Sequence, residues 1–307
     1  MDEFEEMLRL CALRDEIIKR YEAGERNFTG IDMHHISISY PCFMDTDFSN
    51  VNMEGSLWGV DYLVNANLSG ANLEGSDLFA SVINTNLTNA NLRNIKFRSI
   101  NLTGVNLSVS DLSGADLSGA KLIGVNLSGA NLTDAKITVE TIFCNTIMPD
   151  GRIENSSNKV VNVAQLLDRY AAGERDFGDI VLHACDLSGV NLQSVNLRGA
   201  HFSYVNLQGA ILHGELTGRF IGCDMRDIEL ISSDPDYRGG SPRLICCDLR
   251  RAKCKWFDWC GGRLIGNNCQ GARGIEDGSG EGFAYIHNTT WIGGTFIAGP
   301  TWGLSQW

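Results

Sequence analysis

Histidine, cysteine and closely spaced carboxylates are the groups in this chain that could bind a metal or carry redox chemistry. The six histidines are His34, His35, His183, His201, His213 and His287. His183 and His201 flank opposite sides of their neighbouring apolar residues and do not converge. Solvated surface is the expected place for all six. Of ten cysteines, five come late: Cys246, Cys247, Cys254, Cys260 and Cys269. Zinc sites pair thiolates at C-x2–4-C spacing, and these cysteines lack that pairing. In a long chain without a secretory signal, reduced thiols packed as small hydrophobes are expected. Asp277, Ser279 and Glu281 alternate oxygen groups in a glycine-rich stretch, but match a complete calcium loop poorly. No G-x-S-x-G, H-E-x-x-H or P-loop pattern occurs. The expectation is therefore a non-enzymatic protein with no cofactor and no metal.

One stretch has a different character. R-R-A-K-C-K-W-F-D-W, Arg250 to Trp259, carries four basic and three aromatic residues, with Arg243, Arg263 and Arg273 nearby. Basic groups interleaved with aromatics suit a nucleic acid or an acidic protein surface. Arg250, Arg251, Lys253, Lys255 and Trp256 are the candidate partner-binding residues, with Trp259 expected in the core.

What must position these groups is a five-residue phrase. From Ile100 to Leu132 it recurs with Leu102, Leu107, Leu112, Leu117, Leu122, Leu127 and Leu132 at its centre. Val105, Ala115, Ala120, Val125 and Ala130 stand two places before a centre. Asn, Asp or Lys precedes the centre, and Ser, Thr and Gly follow. The beat runs from Phe28 through Trp58 to Leu78, steps by four to Val82, and continues to Ile137, Ile142 and Ile147. M-P-D-G, Met148 to Gly151, is turn chemistry that ends this run. A second run begins at Phe177 and stumbles at E-L-T-G-R. Insertions interrupt it at Ser232–Pro242 and Asp277–Gly282, and its last centres are Ile286, Trp291 and Phe296.

A period of five fits neither helix nor flat strand; repetition at fixed period signals a stacked architecture. Four phrases closing a coil of about twenty residues would turn the centre and the residue two before it inward, since alternate residues of extended chain share a face. Asn86, Asn106 and Asn126 should then stack as an amide ladder. Lys96, Asp116 and Lys136 should stack with alternating sign, as like-charge avoidance requires.

Each run has a helical opening. Phe4, Met7, Leu8, Cys11, Ile17, Ile18 and Tyr21 follow helical spacing to a stop at Gly24. Asn162 and Gln165 form a capping-box pair before Val163, Leu166, Leu167 and Tyr170. R-Y-E-A-G-E-R-N-F (Arg20–Phe28) and R-Y-A-A-G-E-R-D-F (Arg169–Phe177) agree at seven of nine positions. The expected domains are 1–151, a helix cap and solenoid; 152–159, a polar linker; and 160–307, a second cap and interrupted solenoid with a Trp-rich end.

These phrases resemble the A-(D/N)-L-x-x motif of pentapeptide-repeat proteins, over roughly 26–148 and less regularly 175–300. The resemblance implies an all-β solenoid, a right-handed quadrilateral β-helix. The helical openings resemble the caps of tandem cyanobacterial members. Solenoid ends expose unpaired backbone, so caps are physically required.

Charge narrows the partner. The chain carries −12, of which residues 1–158, with 21 acidic and 11 basic groups, contribute −10. That balance disfavours nucleic acid, which needs a basic surface. No apolar run approaches a membrane span of about 18 residues, and the acidic N-terminus lacks a secretory n-region, so the expected location is cytoplasmic. The expected function is a scaffold for an as yet unidentified protein partner, with a homodimer allowed. The alternative is the DNA mimicry of gyrase that some members of the resembled family perform.

Overall fold

In the computed structural model the structure describes residues 3–155, 159–232, 242–255, 262–275, 284–298 and 301–302. It forms a parallel β-solenoid in two compact units, Met1–Ser157 and Asn158–Trp307. Among the described residues there are two helices, α1 (Glu3–Glu22) and α2 (Val163–Ala171).

The five-beat becomes coils because the centres of the interior coils find the same burial. Phe28, Met33, Phe48, Leu87, Leu107 and Leu127 are all buried, as are Val105, Ala115 and Val125 two places before a centre. Each coil hydrogen-bonds through its backbone to the next, as in Leu107 N–H to the Asn126 carbonyl at 2.7 Å. The anticipated columns form. Asn86, Asn106 and Asn126 pair in succession, and so do Asp77, Lys96, Asp116 and Lys136. Asn72 donates to Asn52 at 3.1 Å and Asn91 to Asn72 at 2.9 Å, so side-chain amides repeat the backbone ladder outside the core.

In the first unit a seven-stranded sheet stacks Ser37–Met44, Leu57–Val64, Ser81–Ile83, Asn101–Thr103, Lys121–Ile123 and Ile142–Cys144, with Asp77–Leu78 beside the second strand. The first two strands run straight across a corner that later coils turn. The four-residue step from Leu78 to Val82 lies at that corner and is absorbed, because Leu63 pairs directly with Val82.

The final coil corrects the expected register. Leu122 pairs with Phe143, and Asn126 with Ile147. The inward residues are thus Phe143 and its successor Met148 rather than Ile142 and Ile147. A turn closed by Thr141 N–H on the Thr138 carbonyl takes in one extra residue. Ile137 keeps its place but is 42% exposed, since no coil covers it.

In the second unit a seven-stranded sheet stacks Val181–His183, His201–Ser203, Arg219–Ile221, Arg243–Ile245, Arg263–Ile265 and Tyr285–His287, ending in Thr301–Trp302. The last strand runs antiparallel on Tyr285 and Ile286, reversing the exposed edge. A four-stranded sheet holds Asn191–Asn196, Ile211–Glu215, Glu229–Ser232 and Lys253–Lys255. Phe202 pairs with Phe220 and Phe220 with Leu244, so one coil is two residues short and the next four long. The stumble is therefore a tightened coil, in which Leu216 is buried. The expected centre Phe296 is displaced: it is 59% exposed while Ile297 is buried. This segment pairs antiparallel with Thr289–Thr290, and the reversal ends the beat.

The duplicated nine-residue motif builds one clasp twice. The Arg20 guanidinium donates to Glu25 at 2.8 and 2.5 Å, and that of Arg169 donates to both oxygens of Glu174. Arg26 and Arg175 each donate at 2.8 Å to the carbonyl of Tyr21 or Tyr170 and lie 4.0 Å over that ring. Each tyrosine hydroxyl accepts at 2.8 Å from a backbone N–H of the first coil, Met44 or Gln193. The outer edge of a solenoid leaves such donors unpaired, and the helix supplies the acceptor. The Asn162–Gln165 capping box is present, both bonds at 2.9 Å.

Candidate functional site

Most of the described cysteines pack as expected, but Cys185 and Cys246 are only half-buried, and Cys260 lies outside the described residues. Cys223, Cys247, Cys254 and Cys269 are buried. Burial pushes the Cys254 thiol up to about 12 and raises Cys247 and Cys269 as well, so these three stay protonated at neutral pH. The histidines correct the expectation of solvated surface: His201 and His287 are fully buried and His183 is half-buried. Their face encloses residues on both sides of the centre, as it does Met44, Val64 and Ile123 in the first unit. Among the described residues no cluster of three or more metal-binding side chains occurs. Asp277, Ser279 and Glu281 lie outside the described residues.

The basic stretch is embedded in carboxylates. Asp224 and Asp248 stack on adjacent coils, an arrangement that repels. Arg226 lies 2.6 Å from Asp224 and 3.9 Å from Asp248, and Arg250 lies 2.6 Å from Asp248. Arg251, at φ +62°, reaches Asp227 of the preceding coil at 2.6 Å. Lys253 pairs in register with Glu229 and stacks under Arg273. Lys255 contacts Glu229 at 2.9 Å. Guanidinium hydrogen bonds hold the carboxyls of Asp224 and Asp227 below their ordinary range, and the Lys255 ammonium does the same for Glu229. Three of the four basic candidates thus stand in ion pairs, Arg250 with Asp248, Arg251 with Asp227 and Lys255 with Glu229, while Lys253 is stacked in register beside Glu229. Trp256 and Trp259 lie outside the described residues.

The structure separates the three nearby arginines. Arg273 continues the Lys253 column, whereas Arg243 and Arg263 share a different face with Arg219, in the register Arg219–Arg243–Arg263. Sequence reasoning missed Arg219. The signal was present, since each of the three stands immediately before a centre (Phe220, Leu244, Leu264). The long insertion between the first two hid their stacking.

Comparison with known proteins agrees with the repeat. The family model for pentapeptide repeats, in eight copies, matches residues 62–104, 80–119, 110–138 and 176–214. No curated protein matches the chain. The chain is similar to HetL of the cyanobacterium Nostoc, a pentapeptide repeat protein involved in heterocyst differentiation regulation. That match has 20% identity and a TM-score of 0.25 over 92% of this chain and 98% of that one. QnrB1, a plasmid-mediated fluoroquinolone resistance protein, matches at 16% identity and TM-score 0.33 over 75% and 83%. A pentapeptide repeat protein of the Arabidopsis thaliana thylakoid lumen matches at 22% and 0.24 over 43% and 84%.

Proposed function

The chain belongs to the pentapeptide-repeat proteins, and from that premise we propose that it is a non-enzymatic scaffold whose second unit docks a protein partner. The observation that carries this reading is the set of ion pairs made by Arg250, Arg251 and Lys255, with Lys253 in register beside Glu229. Its side chains stand on backbone-paired columns, so little conformational entropy remains to be lost on binding. Arg251 and Lys255 keep more than half of their side-chain surface in solvent while paired, at 60% and 53%. Such groups can exchange one carboxylate for a partner's without crossing a large desolvation barrier.

Arg250 has a second duty, since it neutralises Asp248, which stacks on Asp224. The informative variants are therefore Arg251→Ala and Lys255→Ala, with Arg250→Ala as the variant expected also to lose stability. Affinity purification of the full chain from its host, against these variants, is the test. Loss of the same co-purifying protein in both exposed variants is expected, and undiminished recovery overturns this surface.

The alternative, mimicry of DNA toward gyrase, calls for a continuous acidic stripe. Along one column of the first unit Asp77 and Asp116 alternate with Lys96 and Lys136, and asparagines dominate the next. Inhibition of gyrase supercoiling by the purified chain would favour that alternative; no inhibition at molar excess is expected.

A further inference from the structure

The second unit caps itself with a helix of nine residues, whereas the first uses twenty. At the offset that aligns the two clasps, α2 begins at the position of Arg14, so residues 3–13 of α1 have no counterpart. Leu10 and Leu13 in this extension rest on the core, as do Ile17 and Tyr21 beyond it. Phe4, Met7 and Leu8 do not. Spaced at i, i+3 and i+4, they share one face of the helix and are 63%, 52% and 53% exposed. Capping does not account for them. The first eight residues, which hold this stripe, carry four carboxylates and no base.

A wall of the same unit has the complementary character. Trp58 and Leu78 are stacked centres, and Phe97 is the centre of the next coil. Beside them, facing outward, stand Leu57 and Phe79, 43% and 58% exposed, and then Lys96 and Arg98. Residues 93–98, R-N-I-K-F-R, hold three bases and no acid. Lys96 pairs with Asp77 and Arg98 with Asp116, but the cations are 52% and 65% exposed against 23% and 12% for the carboxylates. An approaching surface therefore meets positive charge beside an apolar patch. Ten large apolar side chains are exposed among the described residues, and five of them lie in the stripe or on this wall.

We propose that the stripe of α1 docks on the Leu57–Phe79 wall of a second copy of this chain, with its carboxylates set against that copy's Lys96 and Arg98. An apolar centre rimmed by polar groups is how protein interfaces are built, and here the two rims have opposite sign. The wall's backbone is already bonded between coils, as in Phe79 N–H to the Trp58 carbonyl at 2.9 Å, so it has no edge to offer a strand. A helix, satisfied within itself, is the form that fits. The two patches differ, so the contact is heterologous: made twice it closes a pair, and made once it extends a row of molecules. One helix on one wall stays near the lower limit of specific interfaces, about 1,200 Å² in total, so association should depend on concentration. A membrane is disfavoured as the occupant of the stripe, because the carboxylates around it repel anionic headgroups. The inference goes beyond the partner surface of the second unit and does not depend on it.

Sedimentation velocity of the full chain, from low micromolar to submillimolar concentration, is the test. The parent should associate, and Leu8→Ser and Phe79→Ser should each weaken association about tenfold or more. Both side chains lie mostly in solvent, so both variants should melt with the parent. The decisive sample mixes the two variants in equal amounts. There the intact helix of the Phe79→Ser chain meets the intact wall of the Leu8→Ser chain, and association should return in part. Arg251→Ala should associate like the parent. A parent that stays monomeric overturns the proposal, as does a mixture of normally melting variants that fails to associate. Full association by Phe79→Ser would assign the stripe to helix-on-helix pairing and overturn it as well.

Discussion

Val109 stands at φ +57° in a corner where the next coil places Gly129. A β-branched residue in the left-handed region is strained by about 1–3 kcal/mol. Its side chain is 60% exposed and contributes little packing in return. Val109→Gly should raise stability by about 1 kcal/mol after the added freedom of glycine in the unfolded chain, seen as a higher midpoint in thermal melting. An unchanged or lower midpoint would contradict the strain argument. Asp116 is the opposite case. It sits almost wholly buried between Lys96 and Lys136. The Ser118 hydroxyl donating to it is the chief cause of a pKa near 2, outweighing desolvation, with Arg98 adding to the effect. A depressed folded pKa gives stability that is present above the unfolded value of about 4 and is lost as pH falls toward 2. Asp116→Asn should therefore cost about 2 kcal/mol at pH 7. The difference between the two melting curves should close between pH 4 and 2, and a gap independent of pH would assign the cost to packing instead.

At the scale of elements, the two clasps permit a matched comparison. Tyr21 is buried and Tyr170 is not, yet each hydroxyl accepts the same kind of edge N–H. Tyr21→Phe leaves the Met44 amide unsatisfied in the interior, at a cost of about 1–3 kcal/mol. In Tyr170→Phe water can replace the lost acceptor at Gln193, and the loss should stay below about 1 kcal/mol. Chemical denaturation of both variants checks the ranking, and equal losses would mean that burial is not what separates them. The clasps were legible as a duplicated nonapeptide because the chain spells both with the same seven residues. The helices were legible from period and capping. The register of the terminal coils was not. A period of five reports which residues lie inside only while another coil stacks above them, and at Ile142 and Phe296 an extra turn residue or a reversal of direction ends that condition. The buried His201 and His287 were missed because alternation turns the neighbours of a centre outward, whereas on this face they are enclosed as well. The ion partners of Arg251 and Lys255 lie a full elongated coil away, beyond any local pattern.

At the scale of the whole molecule, two compact units each carry their own helix, clasp and core. Stability in a stacked repeat is a sum of neighbour terms, so a cavity in one unit should be felt mainly there. Leu107 and Leu207 are fully buried centres in different units. Each replaced by Ala should cost about 2–5 kcal/mol, and calorimetry should show each lowering a different transition. One shared transition displaced by both would mean that the units unfold together. The charge divides in the same way, with the acid in the first unit and the arginine column in the second.

The corners carry a consequence for how such a chain can lengthen over generations. A left-handed corner residue lays its side chain over the next coil: the ring of His35 covers Gly55 and that of Tyr204 covers Gly222, where an added Cβ would meet ring atoms at 2.4 and 2.7 Å. Asparagine corners can stack on one another, as Asn84 donates to Asn65 at 3.2 Å. A recombination event that copies a single coil is therefore tolerated at a corner such as Asn65–Asn84, where one asparagine already stacks on another. At a ring corner the copy sets one ring upon another, and only a duplication that carries the following glycine coil with it restores the fit. The array thus inherits a grammar of permitted insertions, in steps of one coil at some corners and of two at others.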